Sequence, residues 1–296
     1  METTENKAAE NAPEVWLVVI IAPYRKDQLE REAPLALMYL SGALKQKGYR
    51  ARIWELQEEE VEAFIRAAQD TPPLFIGISS TFGIMAPRYK DLAQRIKGVL
   101  PDMPVVIGGI NVTACPEPYL KESCFDYLVL DEGETTIQEF TDALVNGTGI
   151  GHIRGLAYMK DGTPVFHEAR PRTKDIDLFP LDFEGLDMNN YIETLLDGTR
   201  VLKTYQASRG CPFNCAFCYN STFKQRLWRR HSMEYIIRDM EYLKARYDFH
   251  AIQLTDDHFF VNRKWAFEVM EKLHGMGIRL LNLDARASDL DDEFFL

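Results

Sequence analysis

The chain has 296 residues, 46% of them hydrophobic and 11% aromatic, which is too much apolar mass for a globally disordered protein. That length fits two domains better than one. Its net charge of −11 (34 basic against 45 acidic residues) argues against a general nucleic-acid binder, because phosphate contacts need clustered Lys and Arg. The one locally basic stretch, residues 224–230, reads as a solvated helix face.

Residues 1–12 are acidic and polar, as in a disordered tail, and carry no export signal. The apolar run 15–22 falls far short of the roughly 20 residues that span a bilayer, so no membrane span is expected and a buried strand explains it. Five cysteines in such a chain do not form a disulfide framework. Three of them fall within eight residues, which points to metal or redox chemistry in the cytoplasm of a reducing, low-oxygen cell.

From residue 15 to about 146, apolar runs alternate with amphipathic segments. Strands are expected at 15–22, 50–56, 74–80, 105–107 and 127–130. Helices are expected at 34–47, 58–69, 86–100 and 134–145, with Gly48 and Asn146-Gly147 as stops. Near-continuous apolar strands between helices imply a parallel sheet covered on both faces. Right-handed crossovers then give an α/β, doubly wound, Rossmann-like domain over 13–148.

Ligands of such sheets bind at the carboxyl ends of the strands. Those ends hold Pro23, Ser79-Ser80-Thr81, Gly108-Gly109 and Asp131-Glu132-Gly133-Glu134, all small, flexible or polar. Paired glycines would let the backbone approach a bulky ligand, or form only a tight turn. No GxGxxG follows the first strand, which disfavours a dinucleotide.

Together, 33–40 (Ala-Pro-Leu-Ala-Leu-Met-Tyr-Leu), Gly77-Ile78-Ser79-Ser80, Gly108–Thr113, Pro116-Glu117 and Asp131–Glu134 resemble the cobalamin-binding domain of the cobalamin-dependent radical SAM family. The resemblance implies a corrin site that includes Ser79, Ser80, Gly108, Gly109, Asn111, Gly133 and Glu134. This sequence departs from the family at Asn111, often His, at Ala36, often Gly, and at Asp131, often Gly. The Asp-x-His-x-x-Gly loop that gives cobalt a histidine in other cobalamin enzymes is absent, so no axial ligand follows.

Residues 149–197 read as a hairpin and linker. Segments 155–160 and 163–169 flank Asp161-Gly162, a type I′ turn signal. The Asp-rich stretch 173–200 carries apolar anchors at Phe179, Leu181 and Phe183.

A strand at 201–207 leads into Ser-Arg-Gly-Cys-Pro-Phe-Asn-Cys-Ala-Phe-Cys-Tyr at 208–219. Thiolates spaced Cys-x3-Cys-x2-Cys at Cys211, Cys215 and Cys218 can converge on one iron–sulfur cluster. Gly210 and Pro212 suit the tight loop. Three local ligands leave one iron of a four-iron cluster open. A structural zinc site wants four ligands, and the nearest further donor, His231, is thirteen residues on. An electron carrier would need a fourth cysteine. Only Cys115 and Cys124 remain, in the first domain, where core packing is their expected role.

This segment resembles the cluster motif of radical SAM enzymes. The resemblance implies a [4Fe–4S] cluster whose open iron chelates S-adenosylmethionine and whose electron cleaves it to a 5′-deoxyadenosyl radical. It implies that Tyr219 packs near the adenine, and that an electron donor such as flavodoxin or ferredoxin serves the site. A helix at 232–247 with Ser232 as N-cap, a strand at 251–254, a helix at 264–274 and a strand at 278–283 follow. They resemble the first half of the family's partial (β/α)6 TIM-like barrel, over 198–296. Asp256, Asp257 and Phe259 match its Asp-Asp-x-Phe pattern, and Arg286 a recurrent arginine, as contacts to S-adenosylmethionine. Asp256 capping the next helix, or Arg286 pairing with Asp284 or Asp289, are the plainer alternatives. Ser288–Asp291 reads as a capping box, and the stop at residue 296 reads as that of a fragment. The implied reaction is methyl transfer to an unactivated carbon of an unidentified small molecule or peptide, with cyclisation or ring contraction open. A methylthiotransferase would need three more cysteines in the first domain, and a non-catalytic binding module would not need the cysteine triad.

Overall fold

The computed structural model describes residues 12–21, 31–81, 83–222 and 226–289. Pro23, the tail 1–11 and the second half of the expected capping box (290–291) lie outside them. The described chain divides into two compact units, one built on 12–21, 36–171 and 179–186, the other on 31–35, 172–178 and 187–289.

In the first unit, β1 (Glu14–Ile20), β2 (Arg50–Leu56), β3 (Ile76–Ser79), β4 (Val105–Gly108) and β5 (Tyr127–Val129) form a parallel sheet. Its order β2-β1-β3-β4-β5 reverses direction at β1/β3, as doubly wound sheets do. The helices are α1 (Leu35–Gln46), α2 (Val61–Asp70), α3 (Ala86–Val99), the short α4 (Ile110–Ala114) and α5 (Pro116–Leu120), and α6 (Glu134–Asn146).

Val15, Trp16, Leu17, Val18 and Ile20 of β1 are buried whichever way they point. Trp16, Val18 and Ile20 pack with Phe64 and Ile65 of α2 and with Tyr89, Leu92 and Ile96 of α3. On the other face Phe75 meets Phe140 of α6 edge-on, ring centroids 5.4 Å apart, and the Gln138 amide donates to Ala43 O of α1 at 2.6 Å. Truncating a ring such as Phe64 to alanine is expected to cost roughly 3–5 kcal/mol.

The expected hairpin forms as β6 (Leu156–Lys160) and β7 (Thr163–Phe166) and extends this sheet antiparallel beyond β5. Asp161 and Gly162 both have positive φ, 49° and 75°, as a type I′ turn requires. Leu181 and Phe183 are buried as anchors, and Asp182 between them accepts hydrogen bonds from Ser41 Oγ (2.5 Å) and Lys45 Nζ (2.8 Å) of α1. Cys124 is buried as expected, but Cys115 is exposed, because α4 ends there and no core element covers it.

The second unit contains β8 (Ile192–Thr194), β9 (Arg200–Tyr205), the two-residue pair β10 (Ser208–Arg209) and β11 (Arg229–Arg230), α7 (Met233–Arg246), β12 (Ala251–Leu254), α8 (Arg263–Gly275) and β13 (Arg279–Asn282). Its sheet runs β13-β12-β9-β8. The three strands of the strand–helix repeat are parallel and β8 adds antiparallel. Ser232 caps α7 by accepting from Tyr235 N at 3.1 Å.

The described part of the basic stretch, residues 226–230, is not a helix face. Residues 226–228 have no regular structure, and Arg229 is buried in β11 with its guanidinium donating to Thr173 O at 2.8 Å. No described helix is long and apolar enough to cross a membrane.

Candidate functional site

Each unit gathers predicted residues at the carboxyl edge of its sheet. In the first, Ser80 N donates to Gly108 O (2.8 Å) and Asn111 N to Ser80 O (3.3 Å), which joins the ends of β3 and β4. Gly109 has φ +100°, and a Cβ there would lie 2.6 Å from Ser80 O; one on Gly108 would lie 3.1 Å from Val129 O. The two glycines therefore admit the close approach of the neighbouring strand ends.

Tyr119, which sequence reasoning passed over, ties this edge together. Its hydroxyl is 3.2 Å from Ser80 Oγ and receives the Asn111 amide. Thr113 Oγ1 donates to Gly109 O (3.0 Å) and accepts from Asp131 N (2.9 Å). Gly133 stands as N-cap of α6, and the Glu134 side chain that follows is buried. Ser79, Ser80, Gly108, Gly109 and Asn111 thus meet at one edge, with Gly133 and Glu134 at the next strand end.

In the second unit, β9 leads to the cysteines through a kink. Thr204 takes φ +92°, rare for a β-branched residue, opposite a register shift between Gln253 and Leu254. Such a bulge re-aims a strand end. Gly210 follows at φ +82°, where a Cβ would sit 2.3 Å from Leu227 O, so only glycine fits.

Cys211, Cys215 and Cys218 lie half-buried on one irregular loop, which a Cys218 N to Cys215 O bond of 3.0 Å tightens. Burial, with Asp257 and the other two thiols nearby, pushes the Cys211 thiol up. It is protonated at neutral pH, and loading a metal cluster displaces that proton. Among the described residues no three His, Cys, Asp or Glu side chains converge on a single ion position. A four-iron cluster does not require that, since each thiolate binds its own iron.

The residues after β12 hold this loop. Asp256 is fully buried and accepts from Ala207 N (2.8 Å) and Ser208 Oγ (2.5 Å). Trp228 Nε1 donates to the same hydroxyl at 3.1 Å. Burial raises the Asp256 carboxyl to about 7 although both hydrogen bonds pull it down. Asp256 does not cap the next helix; Asn262 does, accepting from Trp265 N at 3.1 Å.

Asp257 accepts from Gly210 N at 2.9 Å and from Tyr219 OH at 2.8 Å. Partial burial and that carboxylate push the Tyr219 phenol up. The Arg286 guanidinium lies 4.1 Å from the Phe213 ring centroid, and the buried His258 ring packs tilted against the same ring with centroids 5.2 Å apart. Asp289 accepts from Arg286 N (2.9 Å) and lies 2.9 Å from His258 Nε2. The structure thus brings Cys211, Cys215, Cys218, Tyr219, Asp257 and Arg286 around one loop, with Asp256 beneath it. Phe217, also passed over in sequence, is 94% exposed between two of the cysteines.

Residues 29–141 match the B12 binding domain family, and residues 205–294 match the Radical SAM superfamily. An uncharacterized methyltransferase of Pyrococcus horikoshii is 30% identical over 272 residues, 89% of this chain and 58% of that protein. The anaerobic magnesium-protoporphyrin IX monomethyl ester cyclase of Rubrivivax gelatinosus is 28% identical over 87% of this chain and 47% of its own length. The chain therefore spans about half the length of the curated relatives it matches. The radical S-adenosylmethionine methyltransferase TsrM of Kitasatospora setae, solved with cobalamin and a [4Fe-4S] cluster bound, shares the fold. Its TM-score is 0.73 at 17% identity, over 96% of this chain and 56% of that one. A B12 binding domain match is thus followed by a Radical SAM superfamily match, the domain order that the resemblance to the cobalamin-dependent radical SAM family implies.

Proposed function

We propose that the chain serves a methyl transfer to an unactivated carbon, with a [4Fe–4S] cluster on Cys211, Cys215 and Cys218 and a corrin at the carboxyl edge of β3 and β4. The observation that carries this reading is one loop presenting three half-buried thiols, clamped at both ends by Asp257. When bound, such a cluster supplies the open iron and electron that cleave S-adenosylmethionine, and the corrin carries the methyl group.

This chain's own residues hold and shield. Cys211, Cys215 and Cys218 would hold the cluster as thiolates. Asp256 keeps the end of β9 in register with β12, and the Phe213 ring packs against both Arg286 and His258 beside the loop. On the other unit, Ser79, Ser80, Gly108, Gly109, Asn111, Gly133 and Glu134 form the corrin rim. Asn111 stands where a histidine is frequent in the family, with its amide engaged by Tyr119. Electrons would come from a flavodoxin- or ferredoxin-like donor in a reducing cytoplasm.

The test is anaerobic reconstitution with iron, sulfide and cobalamin, followed by reductant and S-adenosylmethionine. Methyl transfer predicts S-adenosylhomocysteine among the products. The cyclase relative favours a second reading, in which 5′-deoxyadenosine forms without S-adenosylhomocysteine. If neither product forms, the enzymatic reading fails.

A further inference from the structure

We infer that Asp257 is a positioning residue for the cysteine loop, holding its two ends so that the three thiols can meet a cluster, rather than a contact to S-adenosylmethionine. The inference rests on the cluster assignment above and concerns what this carboxylate does there.

One carboxylate reaches both sides of the triad. Oδ2 accepts from Gly210 N, one residue before Cys211, and Oδ1 accepts from Tyr219 OH, one residue after Cys218. Bonds from two donors at the two ends of a short loop turn it into a closed ring, and closing a loop removes most of the arrangements it could otherwise take. Between these anchors, residues 211–218 have no helix or strand to hold them.

The clamp is itself fixed. Its neighbour Asp256 is buried and bonded to Ala207 N and Ser208 Oγ, which ties the start of β10 to the end of β12. Gly210 is held by its positive φ and by the close approach of Leu227, so its N–H is aimed before any ligand arrives. Both carboxylate oxygens, and the Tyr219 hydroxyl, are committed to this ring. That differs from the expectation that Asp257 contacts S-adenosylmethionine. Charge-assisted hydrogen bonds of this kind are the stronger ones.

The test uses the 296-residue chain and its variants Asp257→Ala, Asp257→Asn and Tyr219→Phe, with two readouts. One is chymotryptic cleavage at Phe213, Phe217 and residue 219 in the unloaded chains, since Phe at 219 is cleaved as Tyr is. The other is iron retained per chain after anaerobic reconstitution and desalting. Loss of one charge-assisted hydrogen bond predicts about a tenfold faster cleavage at Phe217 in Tyr219→Phe, and more in Asp257→Ala. Iron retention should fall in the same order. Asp257→Asn should stay nearest the parent, because its amide oxygen still accepts from Gly210 N and its amide nitrogen can donate to the tyrosine.

Parent-like cleavage and full iron retention in Asp257→Ala, with only weaker binding of S-adenosylmethionine, would overturn the inference. If Asp257→Ala fails to fold, the ranking of Tyr219→Phe above Asp257→Asn in cleavage rate decides, and the reverse ranking overturns it. A parent chain that retains no iron counts against the cluster reading alone, since the cleavage comparison needs no metal.

Discussion

The two units hold their candidate residues by different means. In the first, the rim at β3 and β4 is locked by backbone on backbone. Gly109 admits Ser80 and Gly108 admits Val129, and the Ser80–Tyr119–Asn111 bonds lie over a core covered on both faces. In the second, the cysteine loop has no regular structure, and side-chain carboxylates from β12 hold it. A rim made of the fold itself can be disturbed only by disturbing the fold. A loop held by two carboxylates can be loosened with the fold intact, and a loop that must take up an inorganic cluster needs that freedom.

The largest effect expected from this contrast is on the loop. Replacing Cys211, Cys215 and Cys218 together with serine should abolish iron retention while leaving the unfolding midpoint and corrin binding unchanged, as read by metal analysis, circular dichroism and absorbance. Loss of corrin binding in that variant would mean that the two sites are not separable.

Next is Gly109→Ala, the corresponding lesion in the first unit. A Cβ at 2.6 Å from Ser80 O and a φ of +100° should cost roughly 2–4 kcal/mol in urea unfolding and weaken corrin binding, with iron retention intact. A neutral substitution would show that the strand ends do not approach so closely.

A pH series separates the titratable supports of the second unit. Asp239 of α7 is buried against Tyr205, and burial pushes its carboxyl up to about 6 even with Arg238 beside it. Its folded pKa exceeds its unfolded one, so its contribution is complete below about pH 4 and is lost as pH rises through 6. His231 runs the other way. Burial lowers it to about 4 although Asp177 lies 2.6 Å from Nδ1, so its contribution is present above pH 6.5 and is lost as pH falls through 4. Asp239→Asn removes one of the two opposed slopes. Between pH 4 and 6.5 the variant should gain roughly 2–3 kcal/mol on the parent, and parallel stability curves would contradict it.

The smallest effect is expected from Tyr119→Phe, which keeps the ring against Phe125 and removes only the hydroxyl shared by Ser80 and Asn111. About 1 kcal/mol of stability should go, with a measurable loss of corrin affinity and none of iron.

Much of this was legible in the chain because apolar periodicity and glycine stops report directly on strands and helices. The five parallel strands, the Asp161-Gly162 turn, the Ser232 cap and the three-cysteine loop all follow from local pattern. What was not legible depends on which residues meet across the fold. Nothing near Tyr119 announces that its hydroxyl will lie between Ser80 and Asn111. Asp256 and Asp257 could be flagged as polar groups at a strand end, but not sorted into one that grips β9 and β10 and one that clamps a loop 47 residues away. The glycine pair was visible and its cause was not, because Ser80 and Val129 are distant in sequence. The basic stretch at 224–230 misled, since charge alone does not reveal that Arg229 turns inward to Thr173.

The measurement that bears most directly on the account is the cofactor content of the anaerobically reconstituted, desalted chain, by iron and cobalt analysis with an absorbance spectrum. The account predicts about four irons and one corrin per chain, with a broad iron–sulfur band that the cysteine substitutions remove and Gly109→Ala does not. A corrin spectrum with no iron–sulfur band, or an iron–sulfur band with no corrin at any cobalamin concentration, would contradict it.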